Sequence, residues 1–175
     1  MRLTLTTKQV ALTSAFAALI VMFTRLPGIP IIGAPGAKVE LSVVIYPLIG
    51  ILLGGEVGAI AVLVGNFASW LIPPSTLLGL FMIPPGVVAA LVAGSLRSSE
   101  KIFNWKLAFA VLAVLNVLWY LTPIGLEAPF YPILHWSALL PVILFREKTK
   151  IFLESASKLR IVLGTGICSF AALMS

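Results

Sequence analysis

The sequence predicts an all-α membrane protein: a bundle of six or seven transmembrane helices, N-terminus inside, with a Gly/Pro-rich outer loop between helices 1 and 2. Three observations carry this. The 175 residues are 60% hydrophobic and only 10% charged, with a mean hydropathy of +1.12, whereas a soluble domain carries roughly a quarter charged residues. The apolar residues come in runs separated by short polar or Gly/Pro hinges. Finally, ten of the twelve lysines and arginines fall in alternate hinges, and cytoplasmic loops are the ones that carry excess Lys and Arg. Arg2 and Lys8 precede the first run. Arg97, Lys101 and Lys106 follow the fourth, and Arg146, Lys148, Lys150, Lys158 and Arg160 follow the sixth. Only Arg25 and Lys38 are left for the outer side, so the N-terminus is expected in the cytoplasm.

The first span covers residues 9–26. Its basic start resembles a signal peptide, but no small-residue cleavage site follows, only Thr24-Arg25-Leu26-Pro27, so an uncleaved helix is expected. The loop that follows, residues 27–36, is rich in glycine and proline and closes with Lys38 and Glu40. The second span, 41–53, contains Pro47 and is too short to cross ~30 Å of hydrocarbon as a straight helix. A tight inner hairpin at Gly54-Gly55-Glu56 leads into the third span, 57–72. The fourth, 76–96, is expected to kink at Pro84-Pro85-Gly86. The fifth covers 107–121 and the sixth 129–145, with Glu127 in the turn between them. Residues 146–160 suit an amphipathic helix on the inner surface, with Ile151, Phe152, Ser155 and Leu159 near one face. A last apolar stretch, 161–175, barely spans, and the expectation is that the chain is cut inside its last helix. The whole, 1–175, reads as one transmembrane domain.

This composition excludes several function classes. The basic residues are confined to hinges, where they act as topology signals with anionic lipid as neighbours, so no nucleic acid is expected. Cys168 lies alone in an apolar run and His135 is the sole histidine, which leaves no metal-ligand spacing. There is no aspartate, and every glutamate lies in or beside a loop. Paired-carboxylate chemistry is thereby excluded, and proton-coupled transport is disfavoured. No Gly-x-x-x-x-Gly-Lys-Ser/Thr loop is present, so this chain is not an ATPase. No cofactor is expected.

The run Leu26-Pro-Gly-Ile-Pro-Ile-Ile-Gly-Ala-Pro-Gly-Ala-Lys-Val-Glu-Leu-Ser42, followed by Pro47-Leu-Ile-Gly-Ile-Leu-Leu-Gly54, resembles the substrate-binding S-components of energy-coupling factor (ECF) vitamin transporters. Gly58 to Asn66 is similar to the family's third helix, and Pro85-Gly86 through Ala93-Gly94 to its fourth. The resemblance covers about residues 9–96. Six spans and the start of a seventh depart from the family's six-helix plan. What the resemblance implies is a prokaryotic cell-membrane subunit that captures a vitamin-like small molecule from outside. Uptake would be driven by a transmembrane scaffold (T) subunit and two ATP-binding subunits. Ala11, Ala15 and Ala18 make a small face on the first helix; spacing alone fits an ordinary helix–helix contact, while the resemblance implies docking on the scaffold.

Candidate ligand contacts come from polar and aromatic residues within the outer half. Asn66 and Trp70 share a face of the third helix, being four apart. Asn116, Trp119 and Tyr120 share one on the fifth, and Tyr131 and His135 one on the sixth, with Trp136 adjacent. An aromatic belt explains the rings but not the amides and the imidazole, which are costly in lipid unless they face a partner or a cavity. His135 alone also fits a structural role, bonded to a neighbouring carbonyl. Arg25, Lys38 and Glu40 stand at the loop rim: the cations suit a ligand carboxylate or phosphate, and Glu40 suits a pair with either of them. A flat heterocycle held beneath the loop is the expected cargo. A stand-alone secondary transporter and a structural membrane subunit are the competing readings.

Overall fold

The structure, a computed structural model, describes residues 6–30, 38–73, 77–81, 83–98, 102–127, 130, 132–146 and 148–175. It is mostly helical, with 79% of the described residues in helices. Helix α1 (Thr7–Thr24) starts at a capping box in which Thr6 and Gln9 bond each other's backbone. Strands β1 (Ile29–Pro30) and β2 (Lys38–Val39) pair antiparallel, Ile29 opposite Val39. The loop, expected to lack regular hydrogen bonding, is therefore pinned at its base by a short ladder; residues 31–37 lie outside the described residues.

Helices α2 (Ser42–Leu53) and α3 (Gly55–Leu71) are separated by Gly54 alone. Its φ of 88° lies where only glycine is comfortable, which lets the chain reverse in a single residue. Next come α4 (Leu77–Phe81) and α5 (Ile83–Arg97). Pro84, Pro85 and Gly86, where a kink is expected, follow directly on Met82, which lies outside the described residues. Helix α6 (Trp105–Tyr120) is capped by Asn104, whose side chain accepts from the Lys106 amide. The short α7 (Pro123–Glu127) follows.

The expected sixth span is not one helix. It is split into α8 (Ile133–Ser137) and α9 (Leu139–Leu144) around Ala138. Pro141 explains the break: it has no N–H for the Ser137 carbonyl, and its ring crowds that carbonyl. The amphipathic helix expected over 146–160 is likewise shorter. Helix α10 (Lys148–Leu153) buries Thr149 and leaves Ile151 exposed, and the chain turns at Ser155–Ser157 before α11 (Lys158–Leu173).

Helix α5 stands at the centre, packed on α3, α2, α11 and α6, and Ala90, Val92 and Ala93 are wholly buried. Helices approach closely because glycines face backbones. A methyl group on Gly50 would overlap the Ala90 carbonyl, and one on Gly94 would overlap the Gly55 backbone. In a bilayer such close approach supplies much of the packing energy between helices. Two stretches, Thr7–Thr24 and Gly79–Arg97, are long and apolar enough to cross a membrane; Ser42–Leu53, Gly55–Leu71, Trp105–Tyr120 and His135–Leu144 are shorter apolar helices.

The ends of these helices sort into two groups. The C-termini of α1, α3 and α11 meet the N-termini of α2 and α5 at one end, around a cavity. At the other end Arg97 donates to the carbonyls of Ile51 and Leu52, closing the last turn of α2, and Arg146 lies 5.6 Å from the Trp105 ring centroid.

Candidate functional site

The cavity encloses about 460 Å³, which falls in the range of small-molecule sites. Its walls come from six helices, Gly79 of α4 included, and the base of the loop. Thr24 and Arg25 come from the end of α1, Lys38 and Val39 from β2, and Glu40 from the link into α2. Val43 and Tyr46 come from α2, and Asn66, Ser69 and Trp70 from α3. Ile83, Pro85, Gly86 and Ala89 come from α5, and Ala172, Leu173 and Ser175 complete the wall at the end of α11.

Each polar group is held by a local rule. Ser42 and Tyr46 are four apart on α2, so they stack on one face, and the Tyr46 hydroxyl lies 3.0 Å from Ser42 Oγ. Asn66 is 7% exposed and its Oδ1 lies 2.9 Å from the same hydroxyl. Its Nδ2 has no partner among the described residues. Ser42 Oγ donates in turn to Glu40 Oε2 at 3.0 Å. Gly86 makes this arrangement possible: a Cβ there would come within 2.8 Å of Asn66 Nδ2 and 2.9 Å of the Tyr46 ring. Pro47, fully buried, lacks the N–H that would bond the Val43 carbonyl, and Val43 itself lines the cavity.

At the rim, Arg25 Nη2 donates to the carbonyls of Ser69 (2.9 Å) and Ile72 (3.0 Å). A guanidinium there complements the dipole at the C-terminus of α3 and shares the Ser69 carbonyl with the Ile72 amide. Thr24 Oγ1 and Ser69 Oγ, 2.6 Å apart, tie the same two helix ends together. The arginine is thus a strut between α1 and α3 that also borders the cavity. Lys38 is exposed on β2.

Of the residues singled out in the sequence, Arg25, Lys38, Glu40, Asn66 and Trp70 are brought together around this cavity. Asn116, Trp119, Tyr120, His135 and Trp136 are not among its lining residues. Phe103 lies beside Gly55, so α6 starts at the far end and delivers Trp119 and Tyr120 toward the cavity end. However, α6 packs on α5, α7, α8 and α9, on the opposite flank of α5. Asn116 Nδ2 donates to the Leu112 carbonyl of its own helix at 2.8 Å, so its polarity is answered locally. Tyr131 lies outside the described residues. Sequence reasoning missed Thr24, Ser42, Tyr46, Ser69, Gly86 and the α11 wall. The Ser42/Tyr46 pair was findable, as two hydroxyls four apart in an otherwise apolar run; Ala172 and Leu173 carry no such signal.

The small face of α1 points away from the bundle. Thr13, Ala17 and Ile20 are its buried positions, with Ala17 and Ile20 against Gly65, while Ala11, Ala15 and Ala18 are exposed. An internal contact is therefore not what these alanines make.

Comparison with known proteins is in keeping with this arrangement. Residues 8–173 match the model of the ECF transporter substrate-specific component. The chain belongs to this family. It is accordingly a substrate-specific subunit of a membrane transporter. The chain is also 32% identical over 127 residues to an uncharacterized protein of Methanocaldococcus jannaschii. That alignment takes in 72% of this chain and 41% of the other, so the chain spans less than half the length of the curated relative it matches. No solved structure matches this S-component.

Proposed function

We propose that the chain is the capture subunit of an ECF-type importer, binding a vitamin-like small molecule from outside in the cavity described above. The single observation that carries this reading is a cavity of about 460 Å³ at one end of the bundle, beside the loop base at Lys38 and Val39, that combines Trp70 with the buried Tyr46 and Asn66. Trp70 offers a flat wall for a heterocycle and Lys38 a charge for an acidic substituent. The loop base, pinned by β1 and β2, acts as a hinge for closure over the ligand.

The positive-inside rule supports the orientation. Arg97, Lys106, Arg146, Lys148, Lys150 and Lys158 belong to helix ends and loops away from the cavity, and Arg25 and Lys38 belong to its rim. The cavity then opens outward, and the N-terminus is cytoplasmic, in a prokaryotic cell membrane. Energy comes from partners: a transmembrane scaffold subunit that docks on the exposed Ala11–Ala15–Ala18 face, and two ATP-binding subunits.

Mass spectrometry of small molecules retained through purification from membranes tests this. A stoichiometric heterocycle, lost on Trp70→Ala, is the expected result. No retained molecule under any growth condition would leave a structural membrane subunit as the better reading. Uptake by the purified chain alone would point to a secondary transporter.

A further inference from the structure

The hydrogen bonds around Tyr46 cannot all be made at once when their protons are counted. The Tyr46 hydroxyl has one proton, yet Ser42 Oγ at 3.0 Å and Asn66 Oδ1 at 2.9 Å both stand as acceptors toward it. Ser42 has spent its own proton on Glu40 Oε2. One close oxygen–oxygen approach is therefore left with no proton between. A few ångströms away the opposite defect occurs: Asn66 Nδ2, shut away from water, has no acceptor among the described residues.

Both defects have one remedy. A carboxylate can only accept, so with Glu40 ionised the chain of donors has a single direction: Ser42 to Glu40, Tyr46 to Ser42, and Asn66 to Tyr46. Asn66 then turns its NH₂ to Tyr46 and its carbonyl oxygen to the side beside Gly86, itself a lining residue of the cavity. The two ends of a side-chain amide have nearly the same shape, so the reversal disturbs no packing and the hydrogen-bond count decides it. The geometry points to a cavity in which Glu40, acting through Ser42 and Tyr46, sets Asn66 to present a hydrogen-bond acceptor, and which therefore selects a ligand whose buried end carries an N–H donor. An exocyclic amine or ring N–H of a nitrogen heterocycle is the chemical class that fits.

This rests on the capture function proposed above, and it adds a positioning residue to it. Glu40 is exposed at the rim, two bonded neighbours away from the amide it orients. Among the described lining residues it is the only acid. Lys38 and Arg25 share the rim, so an acidic substituent is met there and a donor is met at the floor. The ligand is thereby given a direction: acid end outward, N–H end inward.

The test uses matched fragments that exchange a donor for an acceptor on one ring: 9-methyladenine against 6-methoxy-9-methylpurine, and 2-aminopyrimidine against 2-methoxypyrimidine. Affinities are read by saturation-transfer NMR on the full chain in lipid nanodiscs. The amino member of each pair is expected to bind roughly tenfold more tightly, the scale of one well-made buried hydrogen bond. Glu40→Lys supplies an ammonium that can only donate to Ser42. The chain then runs the other way, Ser42 to Tyr46 to Asn66 Oδ1, and the preference shifts to the methoxy member. A role for Glu40 in structure alone would weaken both members equally and leave their ratio unchanged. An unchanged ratio in Glu40→Lys, equal binding of both members to the unaltered protein, or a retained molecule without any N–H group overturns this inference and leaves capture standing. Failure of all four fragments to bind, with no molecule retained through purification, removes the capture function and this inference together.

Discussion

The two flanks of α5 carry similar residues and make different things of them. On one flank, α1, α2, α3 and α11 bring Trp70, Asn66 and Tyr46 around a cavity. On the other, α6 and α8 carry Trp119, Asn116 and His135, outside that cavity's lining. Both sets are expected from the sequence at the outer ends of their helices. What separates them is azimuth, the side of the central helix to which each element packs. On the flank with the cavity glycines meet neighbouring helix backbones at Gly50, Gly58 and Gly94, and Gly86 faces the side chains of Asn66 and Tyr46. Close backbone approach leaves room for polar side chains to converge without filling the space themselves.

That contrast can be broken experimentally, starting with the packing that underlies it. Gly94→Ala places a methyl group into the Gly55 backbone, neither of which can yield like a side-chain tip. Overpacking of this kind costs about 1–3 kcal/mol or more, so a large fall in the thermal midpoint in detergent, or loss of folded protein, is expected. Ala110→Val on the exposed face of α6 should leave the midpoint within experimental scatter.

Next in size is docking. Ala11→Trp with Ala15→Trp loads bulk onto an exposed face of α1 and touches no buried position. Co-purification of the scaffold subunit should be abolished while ligand retention persists; continued co-purification would move the docking surface elsewhere.

Smaller and more local is Gly86→Ala. Its methyl group would press on Asn66 and the Tyr46 ring without meeting backbone, so the fold should survive and ligand retention should drop by roughly tenfold, about 1.4 kcal/mol. Unaltered retention would place the ligand away from this floor.

The smallest effects compare the two flanks directly. Trp70→Ala should weaken retention by about tenfold, in line with ~1 kcal/mol for an aromatic stacking partner plus its lost area. Trp119→Ala and Asn116→Leu should each leave it unchanged, as judged by equilibrium dialysis of the retained molecule. An equal loss from Trp119→Ala would mean that the α6 flank also reaches the ligand.

Half of this site was legible in the chain because its residues are anomalous where they stand. Asn66 is an amide in an apolar run, and Lys38, Glu40 and Arg25 are charges at the one loop poor in others. The same reasoning promoted Asn116, whose polarity the Leu112 carbonyl answers within one helix turn. No sequence period distinguishes an amide bonded to its own helix from one facing a cavity. The helices were legible for the same reason that their breaks were not. Apolar runs mark where chain enters lipid, but the interruption at Ala138 depends on which carbonyl Pro141 deprives. The part of α11 in the cavity wall gave no signal because its inward residues, Gly164, Cys168, Ala171 and Ala172, are small and apolar. Such residues speak of close packing only once the partner helices are known.

The wall contributed by α11 has a consequence for biosynthesis. Chains emerge from the ribosome N-terminus first, at about 5–20 residues per second. Every other wall of the cavity is complete once α5 has been made, yet Ala172 and Leu173 come some seventy-five residues later. Through that interval Ser42, Tyr46 and Asn66 sit in the membrane with one side open to lipid. The cavity wall therefore closes only after α11 has found its place against α5 and α2.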